Sequence, residues 1–347
     1  MNRELLEMLK IVAPGTEIRI GLNNIINGKI GALIVIGNSK EVLDLVYGGF
    51  YINCEFTPSN LYELAKMDGG IILSSDCKKI LYANTQLLPC SHIISKETGT
   101  RHKTAERVAK QTNSLVIAIS ERRGIITLYK GNCKYILRDI NEVLNRANQG
   151  IQTLQKYRKT LDESLNNLNV LEFENTVTLY DVNKIIREME MVWRIKKEID
   201  MYISELGIEG RLLKMQQMEL LNGVEKDRVN IIKDYSGDLS KNPSTIWEEI
   251  SKLSLEELLH LNKIANILGY DSGLDTLDIF VEPKGYRILG KIPRIPSNIL
   301  ENLILEFDSL EAIINASPAK LKEVEGIGQT RTGIILQTFK KYRKNIQ

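Results

Sequence analysis

The stretch Leu115-Val116-Ile117-Ala118-Ile119-Ser120-Glu121-Arg122-Arg123-Gly124-Ile125-Ile126-Thr127-Leu128-Tyr129 sets two apolar runs of strand length around a short polar turn that ends in glycine. Short aliphatic runs bounded by turn residues suit buried strands, and so short a link makes the pair an antiparallel hairpin. Working outward, Gly69-Gly70-Ile71-Ile72-Leu73-Ser74 and Lys79-Ile80-Leu81-Tyr82-Ala83 form a second pair across the turn Ser75-Asp76-Cys77-Lys78. Gly31-Ala32-Leu33-Ile34-Val35-Ile36-Gly37 is a compact apolar run bounded by glycines, a further buried strand. Between the pairs, Thr104 to Gln111 places Ala105, Val108 and Ala109 at helical spacing. Two hairpins rule out an all-parallel sheet, so residues 1–138 are predicted to form an α/β domain with a mixed central sheet. Met1 to Pro14 reads as a short amphipathic helix, because Glu4, Glu7 and Lys10 interrupt its leucines as they would not in a signal peptide.

Beyond this domain the pattern changes. From Ile140 to Leu168 apolar residues recur mostly at three and four, which predicts a long amphipathic helix. Further helices are predicted over 181–206, 212–234 and 254–268. Residues 139–285 therefore read as an all-α helical spine. Residues 286–347 change again. Two prolines in Ile292-Pro293-Arg294-Ile295-Pro296 precede short helical runs, and Glu325-Gly326-Ile327-Gly328-Gln329 separates the last two. A chain of 347 residues exceeds the usual size of a single core, which agrees with several domains.

The formal net charge is +2, which excludes a chain that binds nucleic acid through overwhelming total charge. The charge is unevenly spread. Between Pro318 and Lys344 seven Lys and Arg face only Glu323 and Glu325, a local +5. No apolar run reaches the length of a membrane span. Cys54, Cys77, Cys90 and Cys133 show no C-x-x-C spacing, and His92, His102 and His260 do not cluster with them. That pattern argues against a zinc site or a disulfide framework, and fits reduced thiols of a cytoplasmic protein.

Three stretches could carry chemistry. Met67-Asp68-Gly69-Gly70 precedes a strand. It reads either as an ordinary turn, or as a carboxylate at a strand mouth beside backbone that a nucleotide can approach closely. Thr98-Gly99-Thr100-Arg101-His102-Lys103-Thr104 leads into the helix. Cations in a first helical turn oppose the macrodipole, so this is either a solvated basic turn or a site where an anion is expected. Val324-Glu325-Gly326-Ile327-Gly328, between two helical runs in the basic segment, has the pattern of a helix-hairpin-helix. Exposed N–H groups of such a turn meet DNA phosphates without reading sequence. The alternative is a plain corner between helices.

Taken together and in this order, the motifs resemble those of the DNA integrity scanning (DisA) diadenylate cyclase family. The likeness extends over essentially the whole chain and is strongest over 61–73, 97–112 and 120–129. The family's Asp-Gly-Ala and Arg-His-Arg signatures stand here as Asp68-Gly69-Gly70 and Arg101-His102-Lys103. Lys103 keeps the charge of an arginine but not its planar fork. The resemblance implies a nucleotidyltransferase that condenses two ATP into cyclic di-AMP, with Mg²⁺ or Mn²⁺ as cofactor. It implies Asp68, Gly69, Arg101 and His102 as catalytic residues, with Asp68 binding the metal or activating the ribose hydroxyl. Gly70, Leu87, Thr100, Lys103, Thr104, Ser120 and Arg123 join them in binding ATP, Leu87 against the adenine. It implies Gly326, Ile327, Gly328, Arg331, Lys340 and Lys341 on branched DNA such as Holliday junctions. It further implies a homo-octamer and a cytoplasmic, nucleoid-associated protein. The residues admit two other classes: a DNA-binding nucleotide sensor without cyclase activity, against which Asp68 argues, and a purely structural helical oligomer.

Overall fold

The computed structural model describes residues 3–238, 241–271, 273 and 275–346. The chain divides into two compact units, Met1–Gly150 with Lys197–Met215, and Ile151–Lys196 with Gln216–Gln347.

The first unit begins with α1 (Arg3–Ile11) and α2 (Glu17–Asn27); Met1 and Asn2 of the predicted first helix lie outside the described residues. There follow β1 (Ala32–Ile36), α3 (Lys40–Leu43), β2 (Val46–Tyr47), β3 (Phe50–Glu55), α4 (Pro58–Ala65), β4 (Gly70–Leu73), β5 (Lys79–Leu87), α5 (Thr100–Thr112), β6 (Leu115–Ser120), β7 (Ile125–Lys130) and β8 (Cys133–Ile136). The strands form one sheet in the order β2-β5-β4-β1-β6-β7-β8, with β3 also on β5. β1 and β4 pair in parallel, Ile34 opposite Ile71, and every other pair is antiparallel, so the sheet is mixed as predicted.

Strand alternation divides the core in two. Ile34, Ile36, Ile71, Leu73, Ile117 and Ile119 face one side, with Met8, Leu22, Ile25 and Leu61 of α1, α2 and α4. Leu33, Val35, Ile72, Val116 and Ala118 face the other, with Ala105, Val108 and Ala109 of α5. Each buried aliphatic contributes about 1.5–3 kcal/mol. Helices on both faces make the unit a three-layer sandwich.

Several elements go beyond those the sequence pattern predicts. α2 starts where the Thr16 hydroxyl accepts the Arg19 N–H, and α4 where Thr57 accepts the Asn60 N–H with Pro58 behind it. β3 carries no strand signal in the sequence because it is a sheet edge, with Phe50, Tyr51 and Ile52 exposed and no burial alternation. β5 runs to Leu87, beyond the predicted Ala83, and α5 begins a turn before Thr104.

Helices α6 (Ile140–Glu174) and α7 (Leu179–Leu206) contribute to both units. A 3₁₀ turn over Gly207–Gly210 leads into α8 (Arg211–Leu220), followed by α9 (Val224–Tyr235), α10 (Pro243–Lys252), α11 (Leu255–Leu259), α12 (Leu261–Leu268), α13 (Tyr286–Leu289), α14 (Ser297–Phe307), α15 (Leu310–Ile314), α16 (Pro318–Glu323) and α17 (Gln329–Ile346). The helix predicted over 212–234 is thus two, broken at Gly223, whose φ of +79° favours glycine. That predicted over 254–268 breaks at His260, which has extended backbone.

A buried polar network anchors α13 within the second unit. Arg287, fully buried, pairs with Glu172 and donates Nη1–H to Asn169 Oδ1 at 2.7 Å. Tyr235 donates to Glu172 Oε1 at 2.6 Å, and Asp234 accepts the backbone N–H groups of Gly285, Tyr286 and Arg287. Elsewhere in the unit the Arg228 guanidinium lies between Trp193 and Trp247, 4.2 and 4.1 Å from their ring centroids.

Candidate functional site

The first unit opens a cleft of about 520 Å³ where the N-terminus of α5 meets the ends of β4, β5 and β6. Gly69 forms its floor. At φ +93° a Cβ here would lie 2.7 Å from the Thr85 carbonyl oxygen and 2.9 Å from the Asn84 carbonyl carbon, so only glycine fits. The β4–β5 register shifts beside it, with Asn84 at φ +54°, and Thr85 donates its hydroxyl to the Gly70 carbonyl at 3.1 Å. That irregularity turns Thr85, Gln86 and Leu87 into the cleft wall.

The opposite wall is the start of α5. Gly99 is its N-cap with no side chain to cap it, and a Cβ there would meet nothing within 4 Å. The first turn holds no acid, and Gly99, Thr100, Arg101, His102 and Thr104 at this helix N-terminus line the cleft. Arg101 is held by the strand beneath. Its Nη1 donates to the Ile119 carbonyl at 3.3 Å, and the guanidinium lies where a side chain on residue 31 would be, 1.9 Å from an ideal Cβ on Gly31. Gly31 is thus the seat of Arg101.

The segment between β5 and α5 is pinned to the helix. Arg107 donates to the carbonyls of Ile93 and Ser91 at 2.9 and 3.0 Å, and Lys110 to that of Ile94 at 2.9 Å. Glu106 accepts from the Ser95 hydroxyl and the Lys96 N–H. At its end Glu97 pairs with Lys134 and accepts the Tyr129 hydroxyl at 3.0 Å, beneath the edge-on contact of Tyr129 with His102. Burial pulls the His102 pKa below 6.5; Glu97 opposes the shift, and Arg101, Lys134 and Arg123 add to it. Burial raises the Glu97 carboxyl, but the bonds from Lys134 and Tyr129 outweigh it and hold the carboxyl below its usual range. The cleft is therefore cationic through Arg101, with a neutral imidazole beside it at pH 7. This is a wall built for an anion and a floor built for close approach.

The family described as "DisA bacterial checkpoint controller nucleotide-binding" matches residues 19–133, which include the whole of this cleft. Residues 137–277 match the "DisA bacterial checkpoint controller linker region". The chain is 52% identical over 345 residues to the DNA integrity scanning protein DisA of Clostridium botulinum strain Loch Maree, covering 99% of this chain and 97% of that one. It is 51% identical over 343 residues to the protein of the same name from Acetivibrio thermocellus, covering 99% and 95%. The chain belongs to the DisA family.

Of the residues that the DisA resemblance implied for ATP, the cleft brings together Gly69, Gly70, Leu87, Thr100, Arg101, His102, Thr104 and Ser120. Asp68 is exposed immediately before the floor, Lys103 points to solvent, and Arg123 is exposed on the β6–β7 turn; none of the three lines the cleft. Arg122 and Glu121 line it instead, with Leu33, Thr85, Gln86 and Gly99. The polar Glu121-Arg122 beside Ser120 was the visible signal for two of these. Leu33 and Thr85 read as ordinary strand residues. Among the described residues no three His, Cys, Asp or Glu side chains converge as metal ligands.

In the second unit α16 and α17 flank the glycine turn. Gly326 has φ +87° and fits against Ile299, and Gly328 is open. Ile327 lies in the core with Ile299, Leu321 and Ile335, and donates its N–H to the Val324 carbonyl, so its side chain faces no partner outside the chain. Arg331 donates Nη1–H to the Gly326 carbonyl at 2.5 Å, and Lys340 and Lys341 are exposed. No helix among the described residues is long and apolar enough to cross a membrane.

Proposed function

We propose that this chain condenses two ATP into cyclic di-AMP and two pyrophosphates. The observation that carries this reading is the meeting, in a DisA-family nucleotide-binding domain, of an uncapped helix N-terminus, the seated Arg101 and a floor of Gly69 and Gly70 in one cleft. Each ribose 3′-hydroxyl gives up its proton to solvent and attacks the α-phosphorus of the other ATP. The bond from that phosphorus to the bridging oxygen breaks, and pyrophosphate leaves.

Such displacement needs positioning and charge more than covalent help from the protein. Arg101 takes phosphate oxygens bidentately, the first-turn N–H groups and the Thr100 and Thr104 hydroxyls take others, and His102 donates from its imidazole. Ser120 and Arg122 close the phosphate end, and Leu87 lies against the base. Asp68, exposed immediately before the Gly69 floor and outside the cleft lining, supplies a carboxylate beside it. One carboxylate beside substrate phosphates is a donor set that suits Mg²⁺ or Mn²⁺, which would neutralise triphosphate charge. A single cleft holds one ATP, so two chains must present clefts to each other, within the homo-octamer expected of the family. The basic C-terminal segment with Gly326, Gly328, Lys340 and Lys341 binds branched DNA through its phosphates, as part of scanning DNA for damage.

The test is incubation of the full chain with ATP and Mn²⁺ or Mg²⁺, followed by mass spectrometry for cyclic di-AMP. Asp68→Asn is expected to abolish product. Absence of product from the unaltered chain refutes the cyclase reading and leaves a nucleotide sensor; an active Asp68→Asn protein refutes the role of that carboxylate.

A further inference from the structure

Four glutamates are buried among the described residues: Glu172, Glu188, Glu190 and Glu205. Three have partners within the chain. Glu172 pairs with Arg287 and Tyr235, Glu190 with Arg194 at 2.9 Å, and Glu205 with Tyr135 and the Arg138 N–H. Glu190 Oε2 makes no hydrogen bond but lies 3.5 Å from Arg228 Nη2, whereas Glu188 has neither a hydrogen bond nor an ion pair. It is 7% exposed, and its Oε2 is buried with no hydrogen-bond partner. An unmet buried acceptor is costly, and native proteins rarely keep one without a use.

Glu188 lines a cavity of about 570 Å³ within the second unit, between α6, α7 and α11. This is the size of sites that enclose small organic molecules. Its walls are apolar: Met191, Leu255, Leu258, Leu259 and the Tyr157 ring. Leu255 and Leu259 are 60% and 68% exposed, an apolar rim left open to solvent on a five-residue helix. Lys156, Arg187 and Glu256 also line it, but they are exposed or half-buried, so water screens their charges. Glu188 Oε2 is the one polar side-chain atom of the lining that is buried without a hydrogen-bond partner.

We propose that this cavity binds a small molecule with an apolar body and one protonated amine, the ammonium meeting Glu188 and the body lying on Met191, Leu255 and Leu259. An ammonium supplies the donor that Glu188 lacks, and the apolar walls exclude the water that would weaken the pair. This ligand is distinct from the nucleotide, and the site stands whether or not the cyclase reading holds.

The probe is 4-phenylbutylamine, titrated into the full chain by calorimetry at pH 7, with 4-phenylbutan-1-ol as the neutral counterpart. The amine is expected to bind saturably at one site per chain, and about tenfold more tightly than the alcohol, as one charge-assisted bond implies. Glu188→Gln is expected to reduce amine affinity to that of the alcohol without lowering Tm, since no partner in the chain is lost. Leu259→Ser, at an exposed position, is expected to weaken both ligands. Equal affinity for amine and alcohol, unchanged binding in Glu188→Gln, or no saturable binding overturns the proposal. A drop in Tm for Glu188→Gln overturns it too, because it reveals an internal partner.

Discussion

Gly31→Ala adds one methyl group at a residue that does not itself line the cleft, yet it is expected to disable the cleft. The added Cβ would lie 1.9 Å from Arg101 Nη1, 2.6 Å from Cζ and 2.9 Å from Nη2. Ordinary contact starts near 3.5 Å, so the guanidinium must withdraw by about 1.5 Å or more. Withdrawal breaks the bond from Nη1 to the Ile119 carbonyl and moves the fork away from the phosphates. A hydrogen bond made by a charged group is worth about 1.5–3 kcal/mol, and a 1 Å misplacement of a positioning group costs about a hundredfold. The expected loss in kcat/KM for ATP is therefore about ten- to a hundredfold. The fold is expected to survive. The obstacle is the far end of a flexible side chain, and Gly31 has none of the positive φ values that reserve a site for glycine. Tm is expected to fall by less than about 4 °C, the effect of roughly 1 kcal/mol in a domain of this size. The assay is cyclic di-AMP formation with ATP affinity by calorimetry, for Gly31→Ala, Arg101→Ala and the double variant. If Gly31 acts only as the seat of Arg101, the double variant is no worse than Arg101→Ala alone. Normal kcat/KM in Gly31→Ala, or losses that add independently, would refute the reasoning.

Two further outcomes follow from titrating groups. Burial holds His102 below 6.5, whereas a triphosphate beside it favours the imidazolium. Binding then takes up a proton, so ATP affinity is expected to rise as pH falls from 8 toward 6, by less than about tenfold per unit, and His102→Gln is expected to flatten that slope; parallel pH profiles for the two proteins count against the role. In the second unit, burial and the neighbouring Glu172 push the Asp234 carboxyl up to about 7, against its three N–H donors. A folded pKa above the unfolded one gives stability that is complete at acid pH, below about 4, and is lost as pH rises through 7. Thermal midpoints are expected to decline across that range and to do so less in Asp234→Asn. Asp234→Ala, which leaves the N–H groups of Gly285, Tyr286 and Arg287 without an acceptor, is expected to cost at least about 3 kcal/mol at any pH. An Asp234→Ala chain that melts with the unaltered protein would show that the network does not anchor α13.

The parts of the fold that a single sequence displayed are those whose signal is local. Both hairpins carry their own turns, and the long helices carry their own periodicity. β3 and β8 were not visible, since an edge strand buries little and need not alternate. The breaks at Gly223 and His260 were not visible either, because apolar spacing continues across them and only the backbone turns. At the site, motif order found Gly69 and Arg101 but not their dependence on Gly31 and Thr85. Gly31 reads as the end of a strand, and only the pairing of β1 with β6 brings it under a helix seventy positions later.

The position of the cleft follows from a feature that pairwise reading of hairpins conceals. β5 is antiparallel to β4, β4 is parallel to β1, and β1 is antiparallel to β6. β5 and β6 therefore run in the same direction, with β4 and β1 between them. The segment β5–α5–β6 is thus a crossover unit split by two inserted strands, although neither of its strands touches the other. In α/β sheets, ligands gather outside the carboxyl ends of parallel strands, where the following helices begin. Here Leu87 ends β5, Ser120 ends β6, and the N-terminus of α5 lies beside both in the cleft wall. The inserted strands run the opposite way, so their amino ends arrive at the same place. That is why Gly69 and Gly70 enter as floor while Arg101 and His102 enter as wall. Direction also settles Gly31: preceding β1, it lies at the same end of the sheet, beneath Arg101, where the absence of a side chain leaves room for the guanidinium.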